Sequence, residues 1–212
     1  DHLRLLVLTA TGDIFSTGRE ECRRPTSGDP PENWLSTRRV SSALAETPVP
    51  VIVALNGDAI DHGLELALAG DLRLAVSGSR MGFSPPSRET FPWDGGTQRL
   101  PRLVGPAWAR DMLLAGRLVD ATVAHSIGLV TRVTDSVDQL RQATAELSEL
   151  IAAGGPLGSR YAKEAISKGM DLTLEQGLHL EGDLNIILQS TKDRAEGIAS
   201  FREKRPPKFT GE

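Results

Sequence analysis

Residues 50–65 (PVIVALNGDAIDHGLE) constrain the fold more than any other part of the chain. Residues 51–55 are continuously apolar and rich in β-branched side chains, which is typical of a strand buried on both faces. Asn56-Gly57-Asp58 is a turn signal, and a helix is predicted to begin near Asp61, its expected N-cap. The start of a helix exposes backbone N–H groups that favour negative charge, and the carboxylate of Glu65 follows about one turn later.

Further short apolar runs, at residues 3–8, 72–76 and 129–133, are also predicted to be strands, and helical patterns separate them. Strands that alternate with helices indicate an α/β fold with largely parallel pairing. From residue 136 onward the pattern is helical throughout. We therefore predict a core domain over residues 1–135 and a helical region over residues 136–212. Because residues 3–8 resemble an interior strand that needs partners, we expect the beginning of this domain to precede residue 1.

Composition excludes several classes of protein. The 212 residues carry a net charge of −4 and include no Lys/Arg-rich tract, which argues against nucleic acid as the main partner. No apolar run approaches the roughly 18 residues of a membrane span, so no membrane association is expected. The single cysteine, Cys22, cannot form an internal disulfide, and this favours a reducing, cytoplasmic location.

Four segments, in this order, resemble the motifs of the crotonase superfamily, also called the enoyl-CoA hydratase/isomerase family. They are NGDAIDHGLELALAGDLRLA (56–75), GGTQRLPRLVG (95–105), AGRLVDATVAHSIGLV (115–130) and AEGIASFREKRPPKF (195–209). The resemblance implies a crotonase-like spiral of ββα turns and a helical C-terminal region that builds a homo-oligomer, a trimer or a dimer of trimers. It also implies an acyl-CoA thioester as substrate and no metal or redox cofactor, because the CoA arrives on the substrate.

The chemistry implied by the resemblance is stabilisation of a thioester enolate by two backbone N–H groups. The first belongs to Arg19, which follows an FxxG motif ending at Gly18. The second belongs to His62, in the position of the family's glycine triplet, which here reads Asp61-His62-Gly63. A positive φ at residue 62 would strain the histidine, although histidine tolerates this conformation better than most residues. Gly18 and Gly63 are counted with the substrate-binding residues.

The family's hydratases use two glutamates, and only one of them is matched here. Glu65 corresponds to the first, whereas the second falls on Pro85, which cannot transfer a proton. Of the nearby acids Glu89 and Asp94, we favour Asp94, because several branches of the family place an acidic residue in this region. The local sequence alone favours a structural explanation for both residues: Glu65 as an acid favourable to the helix dipole, and Asp94 as a turn residue before Gly95-Gly96.

Other candidate substrate contacts follow from the same resemblance. Trp93 would line the acyl pocket, and Phe201 and Lys204 match a C-terminal segment that covers the acyl-CoA cleft in the family. A helix-packing phenylalanine and an exposed lysine explain the last two equally well. Three arginines suit contacts to the CoA phosphates, or form a solvated basic loop: Arg19, Arg23 and Arg24.

The sequence therefore favours an acyl-CoA lyase or hydratase-like enzyme with Glu65 and Asp94 as proton carriers. One alternative keeps the fold but changes the reaction to isomerisation or to C–C bond chemistry on an unusual acyl group, for which a single carboxylate suffices. A second alternative is a catalytically weakened, CoA-thioester-binding scaffold, suggested by Pro85 together with the altered glycine triplet.

Overall fold

The computed structural model describes three stretches of the chain: residues 3–18, 39–85 and 91–212. The described residues form two compact units, one within residues 7–47 and 51–145 and the other within residues 1–6, 48–50 and 146–212. The domain boundary between residues 135 and 136 stays a prediction. No helix among the described residues is long and apolar enough to cross a membrane.

The strands form two sheets of four described strands each, with the orders β1-β3-β5-β8 and β2-β4-β6-β7. Their bounds are β1 Leu6–Leu8, β2 Ile14–Ser16, β3 Val51–Leu55, β4 Asp58–Ile60, β5 Leu72–Val76, β6 Arg80–Gly82, β7 Val119–Asp120 and β8 Arg132–Thr134. From β1 to β6, consecutive strands enter alternate sheets, so each turn of the chain adds one strand to each sheet, whereas β7 joins the same sheet as β6. The pairs β3–β5, β5–β8, β2–β4 and β4–β6 are parallel, whereas β6–β7 is antiparallel. The predicted α/β class is confirmed.

Along the chain, four described helices lie between the strands and four more follow the last strand. Their bounds are α1 Val40–Ala45, α2 His62–Leu68, α3 Gly96–Leu114, α4 Ala121–Ser126, α5 Val137–Ala152, α6 Pro156–Gly169, α7 Leu174–Gln189 and α8 Lys192–Glu203. Helix α3 is kinked at Gly105, whose φ is 78°, directly before Pro106. Proline favours the first turn of a helix, so Pro106 begins a second helical segment after the kink.

Strand β3 is the centre of the core, and every one of its five residues is buried. It pairs in register with β5, from Ile52 opposite Leu72 to Leu55 opposite Ala75. Continuous apolar sequence is required because both faces of this strand are covered. The prediction made from residues 51–55 is therefore confirmed, and β3 directs the chain toward β4 and α2.

Four of the described strands, β2, β4, β6 and β7, were not expected from the sequence. Strand β4 lies between the turn at Gly57 and helix α2, where a direct strand-to-helix connection had been predicted. Strand β6 lies within residues 77–96, which show neither helical nor strand periodicity. Each of the four has only two or three residues, too few for an alternating pattern to be recognised. The first half of a helix expected over residues 34–45 lies outside the described residues, and the described part begins at Val40.

Candidate active site

Glu65 lies on α2 with its side chain buried and its carboxylate directed at the start of α3. Its Oε1 atom accepts hydrogen bonds from the backbone nitrogens of Asp94 and Gly96, each at 2.9 Å. Gly96 is the first residue of α3, and its N-cap, Gly95, has a φ of 114° and no side chain to offer. Glu65 therefore supplies the acceptor for this helix terminus from another helix. The residue is 1% exposed, so its carboxylate is held in one position.

The first turn of α2 is packed against the end of β2. A Cβ atom added to Gly63 would lie 2.0 Å from the carbonyl oxygen of Ser16, so only glycine permits this approach. Two residues further along, Gly18 has a φ of 124°, a conformation that also favours glycine. The backbone that leads to residue 19 therefore passes next to the start of α2. Arg19 itself lies outside the described residues, so its pairing with the His62 amide stays a prediction.

Backbone strain at the start of α2 falls on Asp61 rather than on His62. Asp61 has a φ of 53° and a ψ of −121°, a region that non-glycine residues rarely occupy. Its carboxylate accepts from the backbone nitrogen and the hydroxyl of Ser84, each at 2.6 Å. Asp61 occupies the N-cap position, as predicted, but its side chain makes no capping hydrogen bond, because it binds the segment after β6 instead.

Asp94 is also buried, at 1% exposure, and its carboxylate accepts hydrogen bonds from backbone amides in the first turn of α1. The backbone nitrogens of Ser41 and Ser42 lie 2.7 and 3.2 Å from its oxygens, and the Ser42 hydroxyl lies at 3.0 Å. Burial raises the pKa of Asp94, but the hydrogen bonds from Ser41 and Ser42 outweigh it and leave the pKa below its ordinary value. These contacts favour a positioning role, because a carboxyl that stays ionised has little tendency to carry a proton at neutral pH. Direct proton transfer by Asp94 stays a prediction.

The imidazole of His62 contacts both residues at the end of the loop 91–94. Its Nε2 atom lies 3.4 Å from Oδ2 of Asp94, and its ring stacks on Trp93 with centroids 6.0 Å apart and an interplanar angle of 28°. From the sequence, a role was predicted only for the backbone amide of His62. The signal available in the sequence was the presence of a large, polar side chain where the resembling family has glycine.

Trp93 and Asp94 border a cleft of about 340 Å³ at the N-terminal end of α3. Its lining includes two cationic residues, Arg39 and Arg99, and Arg99 donates from Nη1 to the carbonyl oxygen of Asp94 at 2.7 Å. The remaining lining residues are Ser42, Pro92, Gly95, Thr97 and Gln98. The assignment of Trp93 to the acyl pocket stays a prediction, but the residue does face a cleft.

Pro85, at the position of the second glutamate, is exposed and lies close to Gly116, where an added Cβ would approach its Cγ to 2.7 Å. Glu89 lies outside the described residues, as do Arg23 and Arg24. Phe201 and Lys204 belong to the second of the two compact units. Phe201 is 86% exposed, and Lys204 ends α8 in a left-handed conformation with a φ of 54°. Their assignment to substrate binding stays a prediction.

Comparison with known proteins gives a consistent result. The family model for enoyl-CoA hydratase/isomerase matches residues 1–212. YngF of Bacillus subtilis, whose name describes an enoyl-CoA hydratase/isomerase, is 39% identical over 213 residues, which are 99% of this chain and 82% of YngF. The mitochondrial methylglutaconyl-CoA hydratase of Rattus norvegicus is 40% identical over 178 residues, which are 82% of this chain but only 56% of the rat protein.

Solved structures agree with the sequence relatives. The crystal structure of an enoyl-CoA hydratase from Bacillus anthracis has a TM-score of 0.89 and 38% identity, with 99% of this chain and 82% of that chain covered. The structure of Pseudomonas aeruginosa DspI has a TM-score of 0.88 and 34% identity, with 98% and 80% covered. The predicted spiral of ββα turns is confirmed.

Proposed function

Because the chain belongs to the enoyl-CoA hydratase/isomerase family of the crotonase superfamily, we propose that it binds an acyl-CoA thioester and transfers a proton at a carbon near the thioester carbonyl. The observation that carries this proposal is the buried carboxylate of Glu65, held by the amides of Asp94 and Gly96. A proton-transferring group must be fixed within reach of its substrate, and this carboxylate is fixed by the scaffold itself.

The thioester oxygen would be held by the backbone N–H groups of Arg19 and His62. The packing of Gly63 on Ser16 supports this part of the proposal, because it draws the start of α2 against the chain that leads to residue 19. Fixed amide dipoles aimed at a developing enolate are worth about 3–4 kcal/mol per donor in other enzymes. Neither this step nor the proton transfer requires a metal or a redox cofactor.

Hydration of an enoyl-CoA is the reaction that the names of the relatives favour, with Glu65 activating the water or delivering the proton. In that reaction the water oxygen bonds to the β-carbon, one of its protons is taken up by a base, and the α-carbon receives a proton. Asp94 is the sequence candidate for the second group, as an acyl-CoA lyase would need.

Isomerisation is the second candidate, and two observations favour it. Pro85 occupies the position of the second glutamate, and the Asp94 carboxylate is engaged by Ser41 and Ser42. One carboxylate is enough to remove a proton from one carbon and return it to another. Glu65 alone could therefore move a double bond along the acyl chain, whereas hydration would be slow.

The test uses crotonyl-CoA and a 3-enoyl-CoA with the purified protein and with Glu65→Gln. We expect turnover of at least one thioester, and a fall of about 10²-fold or more in Glu65→Gln, because general acid–base catalysis is typically worth 10²–10⁴-fold. Loss of the conjugated thioester absorbance reports hydration, and its appearance from the 3-enoyl substrate reports isomerisation.

The matched control is Glu149→Gln, which makes the same change at an exposed position of α5. Turnover that survives Glu65→Gln unchanged would overturn the catalytic role of Glu65. Tight binding of thioesters with neither turnover nor exchange of α-hydrogens in deuterium oxide would overturn the enzymatic proposal in favour of a CoA-binding scaffold.

A homo-oligomer, a trimer or a dimer of trimers, is the proposed assembly. Support comes from large apolar side chains that are exposed on helices α6 and α7. Among them are Ile166, Leu174 and Ile186, with exposed fractions of 70%, 80% and 70%. Exposed apolar area of this kind is typical of surfaces that a partner covers. Light scattering coupled to gel filtration tests the assembly, and a monomer at micromolar concentration would contradict it.

A further inference from the structure

We propose that His62 is a positioning residue. Its imidazole holds Asp94 and Trp93 against the first turn of α2, and it thereby fixes the backbone amides of the 94–96 segment that bind Glu65. This inference rests on the proposed function of Glu65 and assigns the histidine side chain a role beyond its backbone amide. It is carried by geometry: Nε2 lies 3.4 Å from Oδ2 of Asp94, the ring stacks on Trp93, and the side chain is only 13% exposed.

The direction of the contact follows from the other bonds of Asp94. Its carboxylate accepts two backbone N–H groups, from Ser41 and Ser42, and its pKa lies below the ordinary value. An ionised carboxylate is an acceptor only, so Nε2 of His62 is the donor. Helix α1 already fixes the carboxylate of Asp94. The hydrogen bond from the His62 imidazole to this fixed carboxylate therefore connects α2 to α1.

The contact between His62 and Asp94 affects Glu65 through Asp94 itself. Asp94 uses its side chain for α1 and His62 and its backbone nitrogen for Glu65. Residues 91–94 belong to no helix or strand, so side-chain contacts set their position. Arg99 holds the carbonyl side of Asp94, and His62 holds the carboxylate side.

Removal of the imidazole should therefore alter catalysis more than folding. Asp94 would remain attached to α1 through Ser41 and Ser42, while the distance between the loop and α2 would be less restricted. Misplacement by about 1 Å of a group that orients a reaction can lower the rate by about 10²-fold. The contact includes none of the arginines suggested to meet the CoA phosphates, so we expect the affinity for CoA to change little.

The experiment compares the turnover of His62→Ala and His62→Gln with that of the wild-type protein, on the thioester that the wild type turns over fastest. We expect kcat to fall about 10- to 100-fold in His62→Ala, with the dissociation constant for CoA within about 2-fold of wild type. His62→Gln keeps an N–H donor for Asp94 and should recover at least part of the loss. The matched control is His125→Ala, which removes an exposed histidine from α4.

A double-mutant cycle tests the path itself. If His62 acts through Asp94, the loss in kcat caused by His62→Ala becomes smaller in an Asp94→Asn background. Wild-type kcat in His62→Ala, or equal losses in His62→Ala and His62→Gln, would overturn the positioning role while leaving Glu65 in place. Turnover that is unaffected by Glu65→Gln would instead overturn the proposed function, and the role of His62 with it.

Discussion

Oε1 of Glu65 lies 2.9 Å from the backbone nitrogen of Gly96, so the carboxylate on α2 caps helix α3. Asp94 repeats the arrangement, because its carboxylate binds the amides of Ser41 and Ser42 at the start of α1. Each helix obtains its terminal acceptor from a residue distant in sequence. Together the two acids connect α1, α2 and α3 around one small region, and this region holds the candidate proton carrier.

The dual role of Glu65 predicts that its catalytic and structural effects can be separated. Glu65→Ala removes the acceptor of two buried amides, so we expect a loss of about 1–3 kcal/mol in the free energy of unfolding. Glu65→Gln keeps a carbonyl oxygen as acceptor and should lose less stability while losing activity. Urea unfolding of both variants measures the difference, and equal stability losses would contradict the capping role.

Gly63 is predicted to be intolerant of any side chain. Gly63→Ala places a Cβ atom 2.0 Å from the carbonyl oxygen of Ser16, and relief of such an overlap typically costs about 1–3 kcal/mol or more. Both the melting temperature and thioester turnover should fall. Gly158→Ala, on α6, is the control, because a Cβ atom there meets nothing within 4 Å. In a helix interior alanine is favoured over glycine, so this control should keep or raise the melting temperature.

The strain at Asp61 predicts that replacement by alanine destabilises the protein more than replacement by glycine. Asp61→Gly relieves the positive φ but removes both hydrogen bonds to Ser84, so the two effects oppose each other. Asp61→Ala removes the bonds and keeps the strain, and it should be less stable than Asp61→Gly by about 1 kcal/mol or more. Denaturant unfolding gives the order directly. An alanine variant as stable as the glycine variant would contradict the strain.

The lowered pKa of Asp94 predicts a dependence of stability on pH. The pKa of this carboxyl is lower in the folded chain than its ordinary value of 3.8, so the folded state favours the ionised form. The resulting stabilisation is present above the unfolded pKa and is lost as pH falls through the folded pKa. Asp94→Asn should therefore lower the free energy of unfolding most near neutral pH and progressively less below about pH 4.

The control for this pH series is Asp138→Asn, because Asp138 has a side chain that is 91% exposed. Its unfolding free energy should stay close to that of wild type at each pH. A deficit in Asp94→Asn that does not shrink as the pH is lowered would show that the carboxylate contributes through its shape rather than through its charge.

The sequence predicted those elements whose conformation depends mainly on residues close together in the chain. Strand β3 was predicted from its local apolar pattern and is present. The side-chain caps of α4 by Asp120 and of α7 by Thr173 likewise involve residues only three positions apart. The position of Glu65 on a helix was predicted correctly for the same reason. Its hydrogen-bond partners were not, because they are about 30 residues away in the chain.

The contacts of Asp94 and His62 could not be predicted, since they depend on how α1, α2 and the loop 91–95 come together. Asp94 is 53 residues from Ser41, and no pattern connects the two positions. A family resemblance located Asp94 in a region that contains acids in other branches, but it did not give the direction of the side chain. Direction depends on tertiary packing, which a one-dimensional pattern does not contain.

The hydrogen bonds from Glu65 to the start of α3 have a consequence for interpreting related sequences. A descendant of this chain that lost its enzymatic activity would still need an acceptor for the same two amides, and selection for stability alone would retain the glutamate. The presence of this residue in the sequence of a homologue therefore does not by itself separate a catalytic role from a structural one. The residues that contact the substrate without contributing to folding are the better markers of a working enzyme.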